Sequence, residues 1–424
     1  MEEKIVKNVK KKNSKRNKKI RSLIVLCTFT AIFCGLSTYA WFIGMRSVAV
    51  SSFDVEIATT DSLLLSLDGK KWATQVNING SNFNDTSVVY EGNTNSWGGE
   101  DGLIPMSTVG DMSTTSSRMI LFEKASFTAT KGGYRVMASQ VDNSEKEQDG
   151  YVVFDLFVKN FSGTQYIDKV NPLDEEAIYL TTDSKATVSS NGGTPNTGIE
   201  NSVRVAFAQI GRTSGASRDS SAITNIKCTD IKDGEGNYIS TGICRNAQIW
   251  EPNDTQHVES AINWYTTACK IRKATGTNIA SSDAYEDTNC VPIENGVYST
   301  YAINSEIASS DHVDVYDGAD LNTYTGSTKL TDFPYFTDTM KNQTGTARPS
   351  FMTLAPNSIT KVRVYVYIEG QDIDNYDFAS IGKKISVNFG FTKERFEKAD
   401  VGYTGPSLNI PAPSNDIVDD FSQN

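Results

Sequence analysis

Histidine is nearly absent from these 424 residues: there are two, His257 and His312. Any Ser-His-Asp or Cys-His constellation would have to use one of them, and the chain has no HExxH, no GxSxG and no glycine-rich phosphate loop. Closely spaced CxxC pairs are missing too, which removes the common ligand set of a structural zinc. A secreted hydrolase or metalloprotease therefore has little chemistry to stand on, and the expectation is a protein that is not an enzyme.

Basic charge is scarce beyond the first 21 residues. That stretch holds ten Lys and Arg against Glu2 and Glu3, a net +8, while the rest has 30 basic and 49 acidic groups, a net −19. An acidic body repels phosphate backbones, so nucleic acid is not an expected partner. A basic block directly before an apolar run is the arrangement kept on the cytoplasmic side of a membrane, with the acidic remainder outside.

Long apolar runs are also lacking, with one exception. Ser22 to Met45 is 24 residues without a charge, roughly 36 Å as a helix rising about 1.5 Å per residue, against a hydrocarbon core of about 30 Å. A cleavable signal has a shorter apolar region of about 7 to 15 residues, so length favours an anchor. Thr38 and Ala40 nevertheless stand three and one before a cut that would follow Ala40. A lipoprotein signal needs a small residue before its cysteine, whereas Cys27 follows Leu26 and Cys34 follows Phe33; a pilin-type signal has its glycine ahead of the run, whereas Gly44 comes near its end. With no LPxTG-type motif and no second apolar span, the N-terminus is the expected point of membrane attachment.

The remaining cysteines are Cys228, Cys244, Cys269 and Cys290, an even number in one region. Four allow three pairings; the pairing of neighbours, Cys228 with Cys244 and Cys269 with Cys290, is the one favoured. It agrees with an exported protein, and each such bridge contributes about 3 kcal/mol in the chain-entropy account.

What is abundant is period-two alternation. In "SFDVEIAT" Phe53, Val55 and Ile57 alternate with Asp54 and Glu56, and "LLLSLDGKKW" leads into the Asp68-Gly69 turn signal. "YVVFDLFVKN", "AIYLTT" and "SVRVAFAQI" follow, and then the clearest strands. In "TKVRVYVYIEG" Val362, Val364, Val366 and Ile368 oppose Lys361, Arg363, Tyr365, Tyr367 and Glu369; in "KKISVNFGFTK" Ile385, Val387, Phe389 and Phe391 form one face. One dry and one wet face per strand predicts an all-β fold, two antiparallel sheets stacked as a sandwich. The best helical spacing is Val258, Ile262, Tyr265 and Cys269, within 254–273. The expected layout is a basic cytoplasmic segment at 1–21, a signal or transmembrane helix at 22–45, a β-sandwich over 46–400 with a polar, disulfide-bearing insertion at about 211–349, and a disordered tail at 401–424.

Two acidic loops have the oxygen density that calcium takes, without EF-hand spacing: Glu369, Asp372, Asp374 and Asp377, and Asp311, Asp314, Asp317 and Asp320. Aspartates also close turns for local hydrogen-bonding reasons, so no cofactor is the base expectation and calcium at the first loop is the alternative. "KDGEGNY" reads as a hairpin turn. "IWEPNDTQH" joins Trp250, Glu251 and His257, either lining a ligand site or packing an aromatic beneath a loop.

The opening now has a counterpart. A basic start, an apolar segment and then [ST]-[YW]-A-x-F, here Thr38, Tyr39, Ala40 and Phe42, resembles exported precursors of the TasA/camelysin family of Gram-positive bacteria. "SVAVSSFDVEIAT" looks like that family's first mature strand and "KKISVNFGFTK" like its last, together about a quarter of the chain. The resemblance implies a jelly-roll sandwich, an export signal peptidase as partner, and an extracellular, matrix-associated role in which a strand within Phe42 to Ile57 completes the sheet of a neighbouring subunit. Relatives carry a small residue where this chain has Trp41, which implies a cut after Ala40 or none. The function expected is a non-enzymatic cell-surface or biofilm-matrix protein, with a membrane-anchored adhesion or ligand-binding module as the alternative.

Overall fold

Chain segments that alternate polar and apolar side chains become strands here, and most of the long ones lie where the alternation is cleanest. The computed structural model describes residues 48–57, 62–84, 90, 93–98, 102–130, 133–142, 150–163, 165–188, 197–264, 296, 298, 301–308, 313–314, 329–376, 383–396 and 400–402. The strands used below are β1 (Val48–Ile57), β2 (Leu63–Ser66), β3 (Gln75–Ile78), β4 (Pro105–Ser107), β5 (Phe122–Thr130), β6 (Gly133–Gln140), β7 (Val152–Asn160), β8 (Glu176–Leu180), β9 (Lys185–Val188), β10 (Val203–Ser214), β11 (Tyr238–Gly242), β12 (Gln248–Glu251), β13 (Phe336–Thr337), β14 (Met352–Leu354), β15 (Ser358–Glu369) and β16 (Lys383–Thr392).

One sheet runs β14-β8-β16-β1-β3, with β9 also on β16; the other runs β11-β10-β15-β4-β5-β6, with β7 on β15 and β2 on β7. An all-β fold is therefore observed. The pairing is antiparallel almost throughout, but β1 lies parallel to β16, from Val48 opposite Lys383 to Ile57 opposite Phe391. A shift in register between Val50 and Ser52 keeps the apolar side chains inward across the three-residue step from Val50 to Phe53.

The two sheets share one apolar layer. Phe53, Val55 and Ile57 of β1 and Ile385, Val387, Phe389 and Phe391 of β16 meet Phe154, Leu156 and Val158 of β7, Val205 and Phe207 of β10 and Val362, Val364 and Val366 of β15. Phe53 lies 5.5 Å from Phe154, and Phe207 stands edge-on to Phe389 at 5.0 Å. Each such side chain contributes about 1.5–3 kcal/mol on burial, so this layer dominates the energetics.

The expected wet face of β15 is not wet. All twelve of its residues are buried, Lys361, Arg363, Tyr365, Tyr367 and Glu369 included. A second layer covers them, built from Met106, Met119, Leu121, Tyr151, Val153, Ile249 and Tyr335. Alternation records which side chains carry a polar tip; long amphipathic ones still go inside when that tip finds a partner.

The described parts of the expected insertion at about 211–349 are built onto the same sheet, since β11 and β12 hydrogen-bond to β10 and β13 lies parallel to β12. Cys228 and Cys244 form a disulfide that brackets the hairpin of "KDGEGNY", where Asp233 donates its N–H to the Asn237 carbonyl. After Asp68 the chain turns back as expected: Gly69 has φ +68° and Leu65 and Ala73 exchange two backbone hydrogen bonds. Helix is seen at 259–264, the first part of the helical spacing. The expected span at 22–45, the cleavage region at 38–42, Cys269, Cys290, His312, Asp377 and the tail from 403 lie outside the described residues. Among those described, no helix is long and apolar enough to cross a membrane.

Candidate functional site: a buried ionic cluster

Two motifs that begin 120 residues apart in the sequence, "IWEPNDTQH" and "EGQDIDNYD", meet in space at the end of β15. The turn after β15 is held by its own acids: Gln371 donates its N–H to Glu369 Oε1 at 3.0 Å and Asp374 donates to Asp372 Oδ1 at 2.8 Å. This fixes the directions of the carboxyl groups.

The link between the motifs is Arg204, the lone basic residue of the apolar stretch "SVRVAFAQI", fully buried on β10 opposite Tyr367. Its Nη2 donates to Asp372 Oδ2 at 2.6 Å and to Glu251 Oε1, and its Nη1 to the carbonyls of Asn201 and Val203 at 3.1 Å each. The guanidinium lies over the Tyr335 ring, 4.8 Å from its centroid. Burial opposes its charge, but Glu251 and Asp372 outweigh this and hold it protonated. Tyr335 in turn donates its hydroxyl to Glu369 Oε2 at 3.0 Å. Glu369 gains less than it loses: burial pushes its carboxyl up to about 7, with Arg204 pulling the other way.

His257 closes the cluster. Its Nδ1 lies 2.6 Å from Asp374 Oδ2, its side chain is 8% exposed, and its ring meets Tyr298 edge-on at 5.1 Å. Gly198, at φ +81°, passes so close that a Cβ would sit 2.8 Å from Asp374 Oδ1. Burial favours neutral His257, yet its hydrogen bond to Asp374 outweighs that and raises its pKa; burial, then Asp372, raises Asp374 against the pull of His257. Both groups are thus raised, and they titrate as one pair. The imidazole Nε2 is buried and has no hydrogen-bond partner among the described residues.

An imidazole aimed by a carboxylate is the geometry of a proton relay, but a relay also needs an acceptor or nucleophile at Nε2. None is within hydrogen-bond reach among the described residues. Trp250 is buried with its Nε1 donating to Asp338 Oδ1 at 2.7 Å, which is the aromatic-beneath-a-loop outcome.

The calcium alternative is placed as follows. Glu369 faces Tyr335, Asp372 faces Arg204 and Ser202, and Asp374 faces His257, so the three carboxyls turn to separate protein partners. Among the described residues no group of three or more His, Cys, Asp or Glu is arranged to hold a metal ion. Of the second acidic loop only the backbone at Asp314 is described.

Arg204 and Tyr335 are the members that reading the sequence did not single out. A single arginine inside an apolar strand was the available signal, since a buried guanidinium requires carboxylates nearby. Together the fold and the cluster define an all-β protein with a proton-retaining ionic knot at a strand end. Comparison of the chain with protein-family models, with curated proteins and with solved structures returns no match in any of the three.

Proposed function

We propose that this chain is a non-enzymatic extracellular protein of the cell surface or matrix, a jelly-roll-like sandwich exported through 22–45 that assembles by strand addition. One observation carries the reading: β1, the first described strand, fills the shared core with Val48, Val50, Phe53, Val55 and Ile57 while resting between β16 and β3. It follows directly on the segment where a cut after Ala40 would free it. A strand at the start of the folded unit that supplies core side chains is one that a neighbouring subunit can supply instead, because main-chain hydrogen bonds give the affinity and alternate side chains the register. Its pairing with β3 spans only Phe53 to Glu56, and beyond it the Val48 carbonyl accepts the Leu103 N–H at 2.6 Å, so a donor strand would have to reproduce both contacts.

Release from the membrane by the export signal peptidase would leave a subunit that joins a matrix, and retention of 22–45 would tether the same subunit to the cell. The test is sedimentation and electron microscopy of the secreted protein over a range of concentration and pH. Fibres of the intact protein that are missing when 42–57 is deleted, and that an added peptide of that sequence caps and shortens, are the expected result. A monomer at every condition overturns the reading. Turnover of a peptide or glycan substrate that His257→Ala removes would overturn its non-enzymatic part.

A further inference from the structure

At the junction of the two sheets, away from the ionic cluster, a lysine, an asparagine and a glutamate stand in line. Asn160 ends β7 and is fully buried; Glu176 opens β8; Lys393 follows the last residue of β16. Lys393 Nζ lies 2.6 Å from Asn160 Oδ1 and 3.0 Å from Glu176 Oε2, and the Asn160 amide donates to the same Glu176 oxygen at 2.8 Å and to the Ala355 carbonyl at 3.0 Å. Ser162 donates its N–H to Asn160 Oδ1 at 3.2 Å, and its single hydroxyl proton serves Glu176, the shorter contact, with the hydroxyl oxygen 2.9 Å from Asn160 Oδ1. The orientation of the amide is fixed by these partners, because Lys393 and the Ser162 N–H are donors and only an oxygen can face them.

We propose that Lys393 and Asn160 form an intramolecular isopeptide bond, with Glu176 as the acid-base group. Each part of the reaction has its atom in place. The Asn160 carbonyl is polarised by donors at the oxygen where negative charge develops during attack. The amine that attacks sits beside it, and a carboxyl group bridges the attacking and the departing nitrogens, as proton transfer between them requires. Burial raises Glu176, but hydrogen bonds from Ser162, Asn160 and Lys393 outweigh it and hold the carboxyl below its ordinary range, so it begins as a base.

The Lys393 ammonium gives a proton to Glu176, and its neutral Nζ attacks Asn160 Cγ. The new C–N bond forms as charge gathers on Oδ1 opposite the Ser162 N–H. Collapse breaks the Cγ–Nδ2 bond as Glu176 returns its proton to that nitrogen, and the second proton of the attacking Nζ then passes through Glu176 to the released ammonia. The sum is a primary amide and an ammonium side chain converted to a secondary amide and an ammonium ion, with no oxidant, reductant or outside group. The product would tie the end of β7 in one sheet to the residue after β16 in the other.

Peptide mass spectrometry of the folded, full-length protein tests this directly. The expected result is one branched peptide joining the segments that contain residues 160 and 393, lighter than their sum by one ammonia. Glu176→Gln and Lys393→Arg, which keep size or charge, should each return the two peptides separately, while the near-ultraviolet circular dichroism of the variants stays that of the parent. Wild-type protein that yields the two peptides apart, with Asn160 intact or converted to aspartate, overturns the proposal, and that outcome needs no variant to fold.

Discussion

The strand β15 carries buried charge at both ends, and the two ends are built in opposite senses. Near its start, Asp155 of β7 receives Arg363 Nε at 2.7 Å and Nη2 at 3.1 Å, with Lys361 Nζ at 3.4 Å and the Tyr90 hydroxyl also directed at it. Two cations thus serve one carboxylate. At the other end Glu251, Asp372, Asp374 and Glu369 gather around Arg204 and His257. The first group is saturated with cations and stays ionised; the second is short of them and makes up the difference with protons. Both are fully formed inside apolar layers, so the contrast lies in the balance of charge and not in burial.

The largest effects come from removing the hub of either cluster. Arg204→Ala strands Glu251 and Asp372, and Asp155→Ala strands Arg363 and Lys361; each should cost about 3–5 kcal/mol of stability in urea or guanidinium unfolding. Losses under about 1 kcal/mol would mean that water reaches these groups, and the distinction between the ends would fall.

A more selective break uses pH. Glu369 is raised from its ordinary 4.5 to about 7, so between those values the folded protein holds a proton that the unfolded chain has released, and stability falls as pH rises. The span corresponds to roughly 3 kcal/mol. His257, also raised, acts in the same direction as pH climbs through its folded value. For Asp155 the sign reverses. Burial raises it, Arg363 and Lys361 more than offset this, and its depressed pKa makes stability drop only as the solution becomes strongly acid. Unfolding free energies at pH 5 and pH 8 should therefore differ in the parent and differ less in Glu369→Gln, with His257 keeping a remainder, whereas Asp155→Asn should lose the parent's fall in stability in strong acid. An unchanged slope in Glu369→Gln would assign the proton elsewhere.

The smallest effect expected is that of calcium. Because Glu369, Asp372 and Asp374 already face Tyr335, Arg204 and His257, millimolar calcium should leave the thermal midpoint of the full-length protein where it is. A saturable upward shift would instead bring the carboxyls of that loop together around an ion.

Much of this framework was readable in the chain. The segments around Phe53, Phe154, Val205, Val364 and Phe389 all became strands because a period of two survives local polar substitutions. The neighbour pairing of Cys228 with Cys244 is observed as well. The short strands β4, β12 and β13 were not visible, since two to four residues carry no period, and the hairpin of β5 and β6 was passed over. The site was half legible. "IWEPNDTQH" and the acidic loop stood out by composition, but their meeting depends on Arg204, whose partners lie 47 and 168 residues away. The wet face assigned to β15 failed for a related reason: Lys361 and Arg363 look like surface residues until Asp155, on the adjacent strand, is placed between them.

The parallel pairing of β1 with β16 has a mechanical meaning. The chain enters β1 at Val48, opposite Lys383, and leaves β16 beyond Phe391, opposite Ile57. Tension applied between the N-terminal side and the C-terminal side drags these two strands past each other along their length. All the hydrogen bonds of the ladder then bear load together, where an antiparallel pair pulled from one end would open rung by rung. A subunit held at one end and pulled at the other is thus clasped by the very strand that an assembly would have to exchange.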